Sequence, residues 1–164
     1  MDYKNAKLVI DSSNLVAGEI KWRSPSNIAI IKYWGKFGIQ YPQNPSVSFT
    51  LKNAYTETSF GYKAKQGIDK GIDLDLYFNG ELNTAFGEKV SKYFEKLVPI
   101  YPFLRQLKMT IRSSNSFPHS AGIASSASAM SALALCLMSI EQQLSEDVTS
   151  SAVEKSYFIK KASF

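Results

Sequence analysis

The sequence predicts an α+β fold, an antiparallel-rich sheet with its helices on one face. Three observations carry that prediction. Short segments with period-two alternation fill the first two thirds of the chain, and an Asn79-Gly80 pair joins two of them as a tight turn. Apolar residues at helical spacing dominate the last third, and strands succeeded by helices pack as two layers. Of the 164 residues 45% are hydrophobic, 13% aromatic and 20% charged, which supplies a core and excludes a disordered chain.

Lys7 to Asp11 is a short candidate strand at the start of the chain. Glu19 to Arg23 and Asn27 to Tyr33 are apolar-rich, and Ser24-Pro25-Ser26 interrupts them as a bulge or edge proline does. Val47 to Leu51 and Thr56 to Lys63 alternate as strands. Asp73 to Phe78, Asn79-Gly80 and Glu81 to Asn83 form a hairpin, because Asn-Gly takes positive φ at both turn positions. Gly87 to Leu97 places Val90, Phe94 and Leu97 on one helical face, and Pro99 stops the helix. Leu107 to Arg112 alternates as a further strand. A long helix runs from Ala124 to about Leu144, and another begins near Thr149. The apolar stripe Val153, Tyr157, Phe158 and Phe164 then stops without a cap or a polar tail. Residues 1–164 are therefore expected to be an N-terminal domain cut on its C-terminal side, with apolar residues of its last helix, including Phe158, exposed unless another chain covers them.

The net charge of +5 comes from 16 Lys and 3 Arg, spread from Lys4 to Lys161 with no run longer than Lys160-Lys161. Nucleic-acid surfaces cluster such residues, so the balance reads as a solvated, mildly basic surface that also suits anionic metabolites. The single cysteine, Cys136, allows no disulfide within the chain and fits a reducing cytosol. Met1-Asp2-Tyr3-Lys4-Asn5 lacks the apolar core of a signal peptide. Ala127 to Ile140, the most apolar stretch, is shorter than the ~20 residues of a membrane span and contains three serines. The expectation is a cytoplasmic protein with no membrane partner.

Two segments carry chemistry. Asn115 to Ala129 comes after a strand and opens a helix, where phosphate binding needs exposed backbone N–H groups, small side chains and hydroxyls. Gly122, Ala124, Ala127 and Ala129 allow close approach, and Ser125, Ser126 and Ser128 offer hydroxyls. The same composition also suits a small-residue helix packed tightly on a sheet, and the residues alone leave both readings open. No G-x-x-x-x-G-K-[ST] or G-x-G-x-x-G pattern occurs. Ser24 to Lys36 leads apolar residues into Lys32 and Lys36, with Tyr33, Trp34 and Gly35 between them. Lysine charges and a tyrosine hydroxyl suit a diphosphate, although a strand emerging into solvent with ordinary surface lysines has the same look.

Taken together and in order, Ser24 to Lys36 and Phe117 to Ala129 closely resemble the diphosphomevalonate decarboxylases. These belong to the superfamily of galactokinase, homoserine kinase, mevalonate kinase and phosphomevalonate kinase. Asn-Ile-Ala-x-x-Lys-Tyr-Trp-Gly-Lys is specific to the decarboxylases, whereas Pro-x-x-x-Gly-x-Ala-Ser-Ser-Ala is shared more loosely. Asn44 to Leu51 resembles the family's next strand.

The resemblance implies a left-handed β-α-β style α+β fold and ATP-dependent decarboxylation of mevalonate 5-diphosphate to isopentenyl diphosphate. The 3-hydroxyl is phosphorylated so that phosphate, a far better leaving group than alkoxide, departs with CO₂. It implies Lys32 beside the reacting centre, Tyr33 and Lys36 on the substrate diphosphate, and Asn27 fixing substrate geometry. It also implies ATP phosphates cradled by Pro118, Gly122, Ile123, Ala124, Ser125, Ser126, Ala127 and Ser128. Ser125 or Ser126 reaches the γ-phosphate or Mg²⁺ in that reading, with Ser126 catalytic and the metal contact, and the complete enzyme is a homodimer. His119 and Ile123 depart from the usual residues, and His119 reads as a non-catalytic loop residue. The family's Gly-Ser-Gly-Ser-Ala-x-Arg segment and a later aspartate have no counterpart up to Phe164. A chain of this extent is expected to be inactive alone. Rival readings are a mevalonate 3-kinase, a phosphomevalonate decarboxylase and, in another class, a non-enzymatic RNA-binding module of a related ribosomal-protein fold.

Overall fold

Alternation of inward and outward side chains shapes most of the molecule. The structure is a computed structural model that describes residues 9–11, 15–32, 34–38, 41–67, 71–118 and 121–146. Strand β1 is Gly18–Ile31, β2 Lys36–Phe37, β3 Tyr41–Pro42, β4 Val47–Ala64, β5 Asp73–Phe78 and β6 Glu81–Leu82. Helix α1 (Thr84–Leu97), a 3₁₀ turn (Pro102–Arg105), β7 (Leu107–Asn115) and α2 (Ser125–Glu146) complete the order. The main sheet runs β1-β4-β7-β5-β6, and β2 pairs with β3 in a separate hairpin. Every pairing is antiparallel except β5 with β7, which α1 connects as a crossover.

The core lies between one face of the sheet and both helices. Ile20, Phe60, Tyr62, Leu76, Leu107, Met109 and Ile111 point inward against Val90 and Phe94 of α1 and Leu133, Cys136, Leu137 and Ile140 of α2. Phe60 and Phe94 stack with ring centroids 6.1 Å apart. The expected α+β architecture with helices on one face is what forms. Asn79 (φ 51°) and Gly80 (φ 88°) both take positive φ in the β5–β6 turn, as the Asn-Gly pair requires.

The structure differs from expectation at several boundaries. Val47 to Leu51 and Thr56 to Lys63 are parts of one long strand. Pairing passes from Pro25↔Tyr55 to Ser26↔Leu51, so the intervening residues bulge out of register. Ser116 ties this bulge down, its amide donating to the Tyr55 carbonyl (2.9 Å) and its Oγ accepting from the Tyr55 amide (2.9 Å). Ser24-Pro25-Ser26 marks a register shift within β1, with no break in the strand. Helix α1 starts at Thr84, ahead of Gly87, because Asn83 leaves the hairpin to cap it, its Oδ1 accepting from the Phe86 amide (2.9 Å). Strand β7 runs on to Asn115. No strand forms at Val9–Asp11. There Gln106 pairs with the backbone of Ile10, accepting its N–H (2.8 Å) and donating to its carbonyl (2.7 Å). Residues 7 and 8, the expected helix near Thr149, and Val153, Tyr157, Phe158 and Phe164 lie outside the described residues.

The outward face of the sheet is polar and internally matched. Lys21 Nζ lies 2.6 Å from Glu57, and Arg23 bonds the same carboxylate while its guanidinium lies over Tyr55. Lys108 lies 3.3 Å from Asp73 and 3.5 Å from Asp75. The hydrogen bond from Lys21, then that from Arg23, hold the Glu57 carboxyl below its usual range. Its folded pKa is depressed, so any stabilisation it brings is present above the ordinary carboxylate pKa and is lost as pH falls through the folded value. Among the described residues no helix is long and apolar enough to cross a membrane.

Candidate functional site

Toward the start of α2 the inward face of the sheet changes character. Thr58, Thr56, Ser24, Ser26 and Ser113 replace the apolar residues there, all of them buried. Thr56 Oγ1 donates to Asn115 Oδ1 (2.8 Å) and lies 2.6 Å from Ser128 Oγ, which also reaches the Ser125 carbonyl (3.0 Å). Thr58 and Ser113 pair their hydroxyls at 3.2 Å. This chain of hydroxyls seats the first turn of α2 on the sheet. It also gives Ser128 a different place from the one expected. At 2% exposed, its hydroxyl faces Thr56 and the helix backbone, and it does not reach the open side of the loop.

The rest of the serine loop is open. Gly122, Ala124, Ser126 and Ala127 are exposed, and Ile123 and Ser125 are half-buried. Gly122 has φ 73°, and a Cβ built there meets nothing within 4 Å. Ala124 has φ 41°, a left-handed conformation costing an L-residue with a Cβ roughly 1–2 kcal/mol and tending to mark functional turns. The Ala124 carbonyl accepts from the Ala127 (3.0 Å) and Ser128 (3.2 Å) amides, so Ala124 caps α2 without a polar side chain. The earliest amides of the helix, at Ser125 and Ser126, thus have no intrahelical acceptor, and no acidic residue lies in the first turn. Amides without a helix partner, small side chains and the positive end of the helix dipole form an anion-binding arrangement. The alternative of a small-residue packing helix describes the later turns, where Ala132 and Cys136 are fully buried.

Ser26 Oγ on β1 donates to the carbonyl of Ile123, which brings the two chemistry-bearing segments into contact. Beyond Ser26 the β1–β4 pair projects past the helices. Asn27 Nδ2 donates to Ser48 Oγ across it (3.3 Å), and Ile28, Ile31, Val47 and Phe49 are exposed along it. Lys32 comes directly after β1 and is exposed, and Lys36 opens the β2–β3 hairpin, where Phe37 and Tyr41 pair their rings at 5.8 Å. Among the described residues no carboxylate lies against Lys32. Tyr33, His119 and Ser120 lie outside the described residues. Cys136 is not a nucleophile candidate, because burial pushes its thiol up to about 12.

Comparison with known proteins bears directly on this arrangement. Residues 24–156 match the family described as "Diphosphomevalonate decarboxylase-like N-terminal domain". The chain belongs to that family. The diphosphomevalonate decarboxylase of Candida albicans is 33% identical over 137 residues, 75% of this chain and 37% of its own length. That of Saccharomyces cerevisiae is 31% identical over 131 residues, 73% of this chain and 32% of its own length. Among solved structures, mevalonate diphosphate decarboxylase from Staphylococcus aureus superposes with a TM-score of 0.61 at 34% identity, over 82% of this chain and 38% of that one. A structure described as "MDDEF in complex with MVAPP, AMPPCP and Magnesium" gives 0.60 at 31% identity, over 90% of this chain and 42% of that one. The chain thus spans about a third of the length of the curated relatives it matches. The description of that complex names AMPPCP and magnesium beside MVAPP.

Sequence reasoning missed the residues that hold the site from behind. Thr56 is an ordinary strand residue by composition, and Ser26, Asn115 and Ser116 lie inside the two chemistry-bearing segments but have no role of their own in that reading. The only signal was hydroxyls at inward positions of an otherwise apolar alternation.

Proposed function

We propose that this chain forms the phosphate-binding portion of an ATP-dependent decarboxylase acting on mevalonate 5-diphosphate to give isopentenyl diphosphate. The observation that carries the reading is the open start of α2, with left-handed Gly122 and Ala124, held against the lysine-bearing β1 segment through Ser26. The names of the relatives support the same chemistry.

The loop fits ATP phosphates. The amides of Ser125 and Ser126 and the exposed surface of Gly122, Ile123, Ala124 and Ala127, with Pro118 leading in, would hold the triphosphate. Ser128 acts from below by fixing the helix start. Among the described residues no cluster of His, Cys, Asp and Glu could hold a metal alone. A Mg²⁺ here would rest on phosphate oxygens, with the exposed Ser126 hydroxyl as the chain's contribution. Mg²⁺ and ATP supply the phosphoryl group and the neutralising charge. Lys32 offsets negative charge developing at the reacting centre, Lys36 and Tyr33 hold the substrate diphosphate, and Asn27 fixes its orientation. The paired charges of the outward sheet face argue against a nucleic-acid surface there. A cytoplasmic location and a homodimer belong to the same proposal.

The division of labour has a direct test in the protein at its full encoded length. Lys36→Ala should weaken mevalonate 5-diphosphate more than ATP, by about 1–3 kcal/mol for a lost charge-assisted bond. Ser126→Ala should lower kcat and leave the substrate's binding nearly unchanged. Equal effects of either substitution on both ligands would undo the assignment.

A further inference from the structure

The Asn44 side chain bridges the base of the turn between β1 and β4. Asn44 Oδ1 accepts the Trp34 amide (2.7 Å), while Asn44 Nδ2 donates to the Lys32 carbonyl (3.2 Å) and the Pro45 carbonyl (2.8 Å). Next to it, the Gln43 amide donates to the Gly35 carbonyl (2.9 Å). We propose that Asn44 is a positioning residue that sets the spacing of Lys32 and Lys36 for a diphosphate-bearing substrate. This role rests on the proposed function, in which these lysines serve such a substrate.

The chemistry of the clamp selects asparagine. It needs one acceptor for an amide N–H and two donors for carbonyls, on a side chain short enough to sit at the base of the turn. A side-chain amide offers both. Aspartate keeps the acceptor but turns a carboxylate toward two carbonyl oxygens, and serine has a single proton to donate. Pro45 adds a backbone constraint, since a residue before proline is held in extended conformations and Asn44 is pre-set toward the turn. The bonds grip the backbone on both sides of residue 33, whereas the Trp34 side chain is 90% exposed and anchors nothing within the described residues. The β2–β3 pairing, Lys36↔Pro42 and Phe37↔Tyr41, holds the far end of the same loop. A lysine gains most from a polyanion when its backbone is already fixed, because less freedom is lost on binding.

The test uses the full-length protein with mevalonate 5-diphosphate and with inorganic pyrophosphate as probes. Asn44→Ala should raise KM for the diphosphate substrate and Kd for pyrophosphate about tenfold, the scale of one lost charge-assisted bond. KM for ATP should not move, and hydrogen exchange at the Trp34 amide should accelerate. Asn44→Asp, which keeps the Trp34 bond and loses the other two, should raise the same KM with little change at Trp34. It also carries the test if the alanine variant fails to fold. Lys36→Ala is the control. If it raises the KM and neither Asn44 variant does, the positioning role is overturned while the diphosphate reading stands. If Lys36→Ala also leaves the KM unchanged, the diphosphate reading itself fails.

Discussion

Replacing Phe94 by alanine should remove about 3–5 kcal/mol of folding stability, the usual cost of emptying an aromatic core site. Phe94 is fully buried where α1 meets the sheet, stacked on Phe60 and 6.3 Å from the ring of Tyr93. Domains of this kind have only ~5–15 kcal/mol to lose, so the variant should unfold at a much lower urea concentration with its m-value unchanged. The consequence reaches the site indirectly. Helix α1 is the crossover that lets β5 run parallel to β7, and β7 leads into the serine loop. A loss below about 1 kcal/mol, typical of a surface substitution, would mean that α1 does not pack on this sheet as described.

Lys32→Ala in the full-length protein should lower kcat by about 100–1,000-fold, the range seen when one preorganised stabiliser of developing charge is removed. Lys32 comes directly after β1, and its backbone carbonyl is held by Asn44. Its backbone is therefore fixed where the side chain leaves the strand, and no carboxylate among the described residues is paired with it. An ammonium that acts only as reaction charge develops should affect kcat and kcat/KM together. Single-turnover kinetics separates this from product release. An unchanged kcat with a raised KM would make Lys32 a substrate anchor like Lys36 and leave the reacting centre without its proposed stabiliser.

Much of this was legible in the sequence because it depended on local rules. The Asn79-Gly80 hairpin, the helix ended by Pro99 and the alternation of Thr56 to Lys63 all come from backbone preferences and burial period. The Ser24 to Lys36 and Phe117 to Ala129 segments were legible because small and charged residues crowd there. What stayed hidden depends on contacts distant in sequence. Ser24-Pro25-Ser26 looked like an interruption, yet Ser24 and Ser26 are buried, since β4 bulges opposite them and the serine loop closes over Ser26. Ser128 looked like its neighbours Ser125 and Ser126, and only the helix phase turns it toward Thr56. Asn83 looked like the end of a strand because the hairpin signal and the cap signal overlap at one residue. Asn44 was legible only as the first residue of a segment resembling the family's next strand and by the proline next to it, and neither points to its side-chain bonds.

The most direct measurement of the central claim is CO₂ release from mevalonate 5-diphosphate labelled at its carboxylate, by the protein at its full encoded length. The proposal predicts CO₂, ADP and phosphate in equal amounts, with no CO₂ when ATP is withheld. ADP formed without CO₂, as a 3-kinase gives, or CO₂ released from the monophosphate in preference to the diphosphate, would contradict it.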